Sequence, residues 1–325
     1  MLPVLFRCAS LESRAVALTL RRGAAQAEIR EGAPRPFGGR SDRTMKRAVF
    51  AAASAGILIM AFILIFLAAN GLPVLREAPL EQILFSTEWY PVEEPPLFGM
   101  AALIAGTLSV TLLSCLLAVP AALALGVFTS EAAPRRARDF FKLMLELLSF
   151  LPSIVLGFIG MTVVAPWMQE SLGAASGLNL LNASLMLGFL MIPQVASLTD
   201  EALASVPRDL RDASYALGAT RTETVLRVVF PAAARGISAA VLLGVMRALG
   251  ETMVVLMAAG GAAVLPSLLT DPVRPLTSTI AAEMGETPFG SAHYHALFFA
   301  GLLLLLMTLA LNIVSMRLER KGMVK

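Results

Sequence analysis

At 325 residues, with 57% hydrophobic and 15% charged side chains and a mean hydropathy of +0.75, the chain is too apolar for an ordinary soluble domain and reads as an integral membrane protein. A net charge of +3 does not point to nucleic acid, because the basic residues lie beside apolar runs, where membrane topology accounts for them. Cys8, in a basic leader, and Cys115, in an apolar run, provide neither a disulfide framework nor a metal-binding spacing.

Residues 1–44 hold Arg7, Arg14, Arg21, Arg22, Arg30, Arg35, Arg40 and Arg43, with apolar pieces too short for a signal-peptide core. From Met45 the text changes to MKRAVFAAASAGILIM, a basic patch followed by a span. We expect residues 1–44 to be disordered or a mis-assigned extension, and residues 45–325 to form the membrane domain.

A helix needs about 20 residues to cross about 30 Å of hydrocarbon. Uncharged runs of that length are Ala48 to Leu75, Pro95 to Ser130, Leu147 to Gln169, Ser171 to Thr199 and Ser291 to Met316. A further run, Gly236 to Gly260, is interrupted only by Arg247 and Glu251, which makes six expected transmembrane helices in an all-α protein. Residues 40–47 before span one and the segments between two and three, between four and five, and after six carry seventeen Lys and Arg, whereas the opposite loops carry Arg76 and Arg274. Both termini are therefore expected in the cytoplasm of a bacterial inner-membrane protein. The first outer loop is acidic, with Glu77, Glu81, Glu88, Glu93 and Glu94 around Trp89 and Tyr90, which read as interfacial aromatics.

Spans two and three carry Thr107, Ser109, Thr111, Ser114 and Pro120, then Pro152, Ser153 and Gly157, on faces expected to look inward. His293, Tyr294 and His295 read as an interfacial anchor rather than a ligand pair, since i and i+2 do not share a helix face. Glu283 and Glu286 read as solvated loop charges or partner contacts.

In span five Arg247 lies about 16 Å from Gly236 at 1.5 Å per residue, near mid-bilayer. A charge at that depth costs about 2.5 to 3.5 kcal/mol on insertion scales, so it is expected to face inward and to serve function. Glu251 follows at i+4, where one continuous helix would let carboxylate and guanidinium touch. A buried ion pair that merely locks helices together is the plainer alternative.

The cytoplasmic loop of residues 200–235 is Arg-studded and amphipathic, and Ala213, Ser214 and Gly218 form a small-residue neighbourhood open to close approach by another protein. Read as Asp212-Ala213-Ser214, three residues, Gly218, nine residues, Val228-x-Phe230-Pro231, it resembles the EAA loop of ABC importer permeases. Spacing is intact; Asp, Ser, Val and Phe replace the family's Glu, Ala, Ile and Leu. LPSIVLGFIG, RALGETMVVLMAAG, DPVRPLTSTIAAEMGE and HYHALFFAGLLLLLMTLALN extend the resemblance, from about residue 46 onward, to the PstC-type permease subunit of phosphate ABC importers.

That resemblance implies a MetI-like permease core, a PstA-type sister permease, two ATPase copies and a periplasmic phosphate-binding protein. It implies ATPase coupling for Asp212, Ala213, Ser214, Gly218 and Pro231, and a phosphate pathway at Arg247 and Glu251. Sulfate, molybdate or tungstate are alternative cargoes, because related oxyanion permeases carry a similar Arg–Glu element. No G-x-x-x-x-G-K-[ST] cradle or dinucleotide fingerprint occurs, so energy is expected from a separate subunit, and no cofactor is implied. An integral-membrane enzyme lacks a nucleophile–base or metal cluster here. A non-transporting sensor subunit would not be expected to retain Arg247 and Glu251.

Overall fold

In a computed structural model the described residues are 40–321. The expectation for the leader falls mainly on residues 1–39, outside the described residues. Helix α1 (Arg40–Gly71) begins ahead of Met45 and runs into a 3-10 turn at Leu72–Arg76, whose Pro73 suits a helical first turn.

By contacts the chain divides into two units, at Phe62. Within the first, the described part is residues 40–62 of helix α1, with exposed Phe50, Ile57, Leu58 and Phe62.

The second unit holds the remaining elements. Short α2 (Leu80–Phe85) leads into a two-residue antiparallel hairpin, β1 (Trp89–Tyr90) with β2 (Leu97–Phe98). Helix α3 (Ala101–Ala132) ends in a π turn, and α4 (Arg135–Ser149) is a separate amphipathic helix. Next come α5 (Ser153–Leu172), α6 (Leu180–Ala204), α7 (Arg208–Ala216), α8 (Arg221–Leu249), α9 (Met253–Ala258), α10 (Leu276–Glu283) and α11 (Ala292–Lys321).

Six helices are long and apolar enough to cross a membrane, as expected, although their borders differ. Span three starts at Ser153, because Pro152 holds an extended backbone and closes off α4. Span four starts at Leu180, where the Asn179 carboxamide oxygen accepts the Asn182 N–H at 2.9 Å and caps the helix.

Helix α6 is the axis of this unit, with 67% of its apolar window buried against 33% or less for the other spans. Leu187, Met191 and Ala183 pack with Val110 and Ala118 of α3 and Val254 and Ala258 of α9. A second cluster joins Ile83, Trp89, Phe98, Leu103, Leu276 and Leu297. A third, at the far end of α6, joins Leu203, Val206, Val229, Ala233 and Ile237.

The buried hydroxyl-bearing residues of span two are internally bonded, as a low-dielectric interior demands. The hydroxyls of Thr107, Thr111 and Ser114 are buried and donate to the carbonyls four residues earlier, and Thr107 also accepts the Leu276 N–H. A π turn at Gly160–Val164 shifts the ladder of α5, and the Gly160 carbonyl is taken up by the Asn182 amide at 2.8 Å.

Candidate functional site

Arg247 is positioned by α8 and by what that helix packs against. Gly244 lies one turn earlier, and a Cβ there would sit 2.6 Å from the Cγ2 of Val195, so the missing side chain lets α8 press onto α6. Gly236 makes the same approach to Ala202 two turns before that. Arg247 therefore projects beside the middle of α6.

There it lines a cavity of about 360 Å³ together with Ser149, Leu190, Gln194, Ser197, Leu198 and Leu243. Gln194 is 14 residues from the start of α6 and 10 from its end, or about 21 and 15 Å at 1.5 Å per residue. The guanidinium lies in the last turn of α8, where the helix dipole favours a cation. Its side chain is exposed, and it makes no hydrogen bond or ion pair with the described residues.

The expected Arg247–Glu251 contact is not formed. Helix α8 stops at Leu249, Gly250 is the cap, and Glu251 lies outside the helix, so the i+4 relation on one face does not exist. Instead the Glu251 carboxylate accepts the backbone N–H groups of Thr252 and Met253, each at 3.2 Å, which covers bare donors at the start of α9. Thr277 of α10 donates to the Glu251 carbonyl at 2.9 Å and pins the break from the other side. The run Gly236 to Gly260 is thus two helices, not one of 25 residues.

Gln194 and Ser197 were not singled out from sequence. They stand one turn apart on the face of α6 opposite Arg247, and the Gln194 Oε1 is buried without a hydrogen-bond partner. An unpaired buried carbonyl oxygen costs about 1 to 3 kcal/mol, a cost that Asn182 Oδ1 and Thr199 Oγ1 also bear on α6 among the described residues, and as an acceptor it meets an anion only through a proton that the anion carries. A Gln beside Pro193 in an apolar run was the available signal.

The second group of expected residues forms a helical turn-helix. Helix α7 carries Asp212 and Ala213 exposed, and the chain reverses at Gly218, whose φ of +85° favours glycine. Thr220 and Glu223 then close a capping box at the start of α8. Ser214 does not face outward as expected. It is buried, with its hydroxyl 2.9 Å from that of Thr224, because it lies on the face of α7 that meets α8.

Pro231 has no N–H to give, and the π turn at Val225–Val229 directly before it loosens the helix where the ring would collide.

Of the two outer aromatics, Tyr90 is exposed and Trp89 departs from expectation. Trp89 is buried, not interfacial, and donates to the Glu283 carboxylate at 3.1 Å. Glu283 also pairs with Arg274 and His293, both at 2.8 Å, so it is not a solvated loop charge. His295 donates from Nδ1 to the Asn70 carbonyl at 2.6 Å, and Tyr294 is buried beside Phe298.

Among the described residues no cluster of His, Cys, Asp and Glu could hold a metal ion.

The model of the family described as binding-protein-dependent transport system inner membrane component matches residues 118–321. The chain is 39% identical to the probable ABC transporter permease protein YqgH of Bacillus subtilis, over 76% of this chain and 80% of that one. It is 32% identical to the phosphate transport system permease protein PstC of Xylella fastidiosa strain Temecula1, over 81% and 89%. With PstC of Pasteurella multocida it shares 32% over 73% and 80%. Its fold is that of a bacterial alginate ABC transporter chain, at TM-score 0.57 and 16% identity over 87% of this chain and 98% of that one. It is also that of the inward-facing MetNI methionine ABC transporter, at TM-score 0.54 and 21% identity over 67% and 93%.

Proposed function

The chain belongs to the family of binding-protein-dependent transport system inner membrane components, and from that premise we propose that it carries inorganic phosphate from periplasm to cytoplasm within an ATP-driven importer. Membership makes it a multi-pass permease subunit of an ABC importer, a class that works with ATPase and substrate-binding partners, and not an enzyme. Phosphate as cargo is supported by relatives that bear that name over most of both chains.

The observation that carries the reading is Arg247. A guanidinium without a carboxylate partner among the described residues, on the wall of a cavity halfway along the most buried span, has its cost met when an anion arrives. Its planar fork offers several donors to a tetrahedral oxyanion that has shed part of its water. Gln194 and Ser197 extend that polar lining from α6. Glu251 serves the pathway indirectly, by fixing the break that ends α8 just after Arg247.

The segment 200–235 is the coupling loop. Asp212 and Ala213, exposed on α7, meet the ATPase, while Gly218 and Ser214 set the turn behind them and Pro231 the entry to the span. This assigns the cytoplasm to that side, and with it both termini, in the inner membrane of the cell. The full assembly has a PstA-type sister permease, two ATPase copies and a periplasmic phosphate-binding protein, set in membrane lipid. The sister subunit closes the open side of the Arg247 cavity.

The test is ATP-dependent phosphate uptake by the reconstituted complex, with sulfate, molybdate and tungstate as competitors. Uptake that resists a large excess of the competitors supports phosphate; preferential transport of a competitor replaces it as the cargo.

A further inference from the structure

Helix α7 has an unusual attachment. Ser214 is its one buried residue, and its large apolar side chains, Leu210 and Tyr215, each stay 45% exposed, with Leu217 just beyond its end 89% exposed. A nine-residue helix whose large apolar residues are only half covered gains little from the hydrophobic effect. Its attachments are polar. The Arg211 guanidinium donates through one nitrogen to both carboxylate oxygens of Glu131, at 2.6 and 2.7 Å, and through the other to the Leu203 carbonyl at 2.8 Å.

Glu131 sits in the π turn that ends α3, and only 9% of it is exposed. Its backbone carbonyl is also taken, by the guanidinium of Arg221 from the start of α8. The two arginines flank the turn at Gly218, so both arms of the helical hairpin converge on this one residue at the end of the second span. Nearby, buried Asp200 at the end of α6 binds Lys142 of α4 at 2.6 Å and Arg138 at 3.5 Å, which fixes a second cytoplasmic-end element by the same means.

The geometry points to Glu131 as the positioning residue through which the coupling hairpin drives the membrane helices. Push applied to α7 meets only a half-covered apolar interface, and besides the short chain links to α6 and α8 it reaches α3 by the Glu131–Arg211 pair and α6 by the bond to Leu203. A pair of this kind transmits because it resists both tension and sliding: two short charge-assisted bonds from one guanidinium nitrogen fix the distance to the carboxylate, and the other nitrogen, held by the Leu203 carbonyl, fixes the direction. This inference rests on the coupling reading of residues 200–235.

The experiment uses the whole complex, purified through this chain and reconstituted, and reads phosphate moved per ATP hydrolysed beside the yield of assembled complex. Glu131→Gln, which keeps the size and removes the charge, is expected to lower that ratio by about tenfold, with assembly and basal hydrolysis retained. Arg211→Lys is expected to lower it less, since the charge on Glu131 stays paired and only the second nitrogen's bond to the Leu203 carbonyl is lost. The reversed pair E131R/R211E is expected to recover only part of it, because an arginine at 131 meets Arg221 and a glutamate at 211 meets the Leu203 carbonyl, and that part is the coupling a double-mutant cycle reads.

A wild-type ratio in Glu131→Gln overturns the inference. So does a loss of uptake that only follows the loss of assembled complex in all three variants, which would make the pair a folding contact. If the wild-type complex hydrolyses ATP but moves no phosphate, the phosphate reading alone falls. The pair is then judged by whether stimulation of hydrolysis by the substrate-loaded binding protein disappears in Glu131→Gln, retained stimulation overturning it.

Discussion

Gly244→Ala is a one-carbon change with a calculable consequence for Arg247. The added Cβ would lie 2.6 Å from the Val195 Cγ2 and 3.3 Å from the Met191 Cε. Carbon atoms pack at about 3.5 to 4.0 Å, so the first contact is short by about 1 Å. Val195 cannot yield that distance by rotation, because it is fully buried in α6 and a β-branched residue in a helix has one favoured rotamer. Met191 can move its methyl, but Val195 forces the backbones apart. Helix α8 must then retreat from α6 by about 1 Å at the turn that carries Arg247. Overpacking of this kind costs about 1 to 3 kcal/mol, and a displacement of about 1 Å in a positioning group can cost a hundredfold in rate. Thermal unfolding of the purified complex reads the first quantity, and phosphate uptake per assembled complex reads the second. Gly250→Ala is the control, since its nearest neighbour would lie at 3.6 Å. Wild-type uptake and stability in Gly244→Ala would refute the claim that close packing at this glycine aims Arg247.

Gly218→Ala should cost about 1 to 2 kcal/mol through backbone strain alone, because φ is +85° and no atom lies within 4 Å of the new Cβ, while Gly218→Asn should cost less. Uptake and thermal stability of the two variants compare them. Glu251→Ala should destabilise the break before α9 by about 1 kcal/mol through loss of its backbone hydrogen bonds, and Glu251→Gln should retain most of that stability, as read by hydrogen exchange at the amides of Thr252 and Met253. Asp271 accepts the backbone N–H groups of Ser267 and Leu268 and the Ser267 hydroxyl, all at 2.8 Å, and these bonds hold its carboxyl below the usual carboxylate range. A depressed carboxyl stabilises the folded turn above its unfolded pKa and loses that contribution as pH falls through the folded value. Amide protection of Ser267 and Leu268 should therefore persist through the ordinary Asp range and fail only below it, and Asp271→Asn should abolish that pH dependence. A cysteine placed at Leu217, in a chain without its native cysteines, should react with an impermeant reagent only from the cytoplasmic side; reaction from outside would reverse the orientation.

The membrane spans could be read in the sequence because each is a long uncharged run, and six of six are long apolar helices. Their ends could not. An apolar count ran through Pro152 and absorbed Leu147 to Ser149, which belong to amphipathic α4, because hydropathy does not register a change of helix axis. The run across Gly250 failed for the same reason: nothing in its apolar character marks the cap that separates Arg247 from Glu251. Arg247 and the turn at Gly218 were legible, the one as a charge in an apolar run and the other as a glycine at fixed spacing. Partners distant in the chain were not. Glu131 is 80 positions from Arg211, and Trp89 is 194 from Glu283, so only the folded chain brings each pair together. Ser214 was misread because small size alone does not distinguish a face that meets a partner from one that meets α8.

The account stands on Arg247 as the cation that a passing oxyanion meets. ATP-driven uptake of labelled phosphate by the reconstituted complex carrying Arg247→Gln tests this most directly, with assembly and ATPase content matched to wild type. Uptake should fall to the level of liposomes without the complex, while assembly is unchanged. Uptake at the wild-type rate would contradict the account.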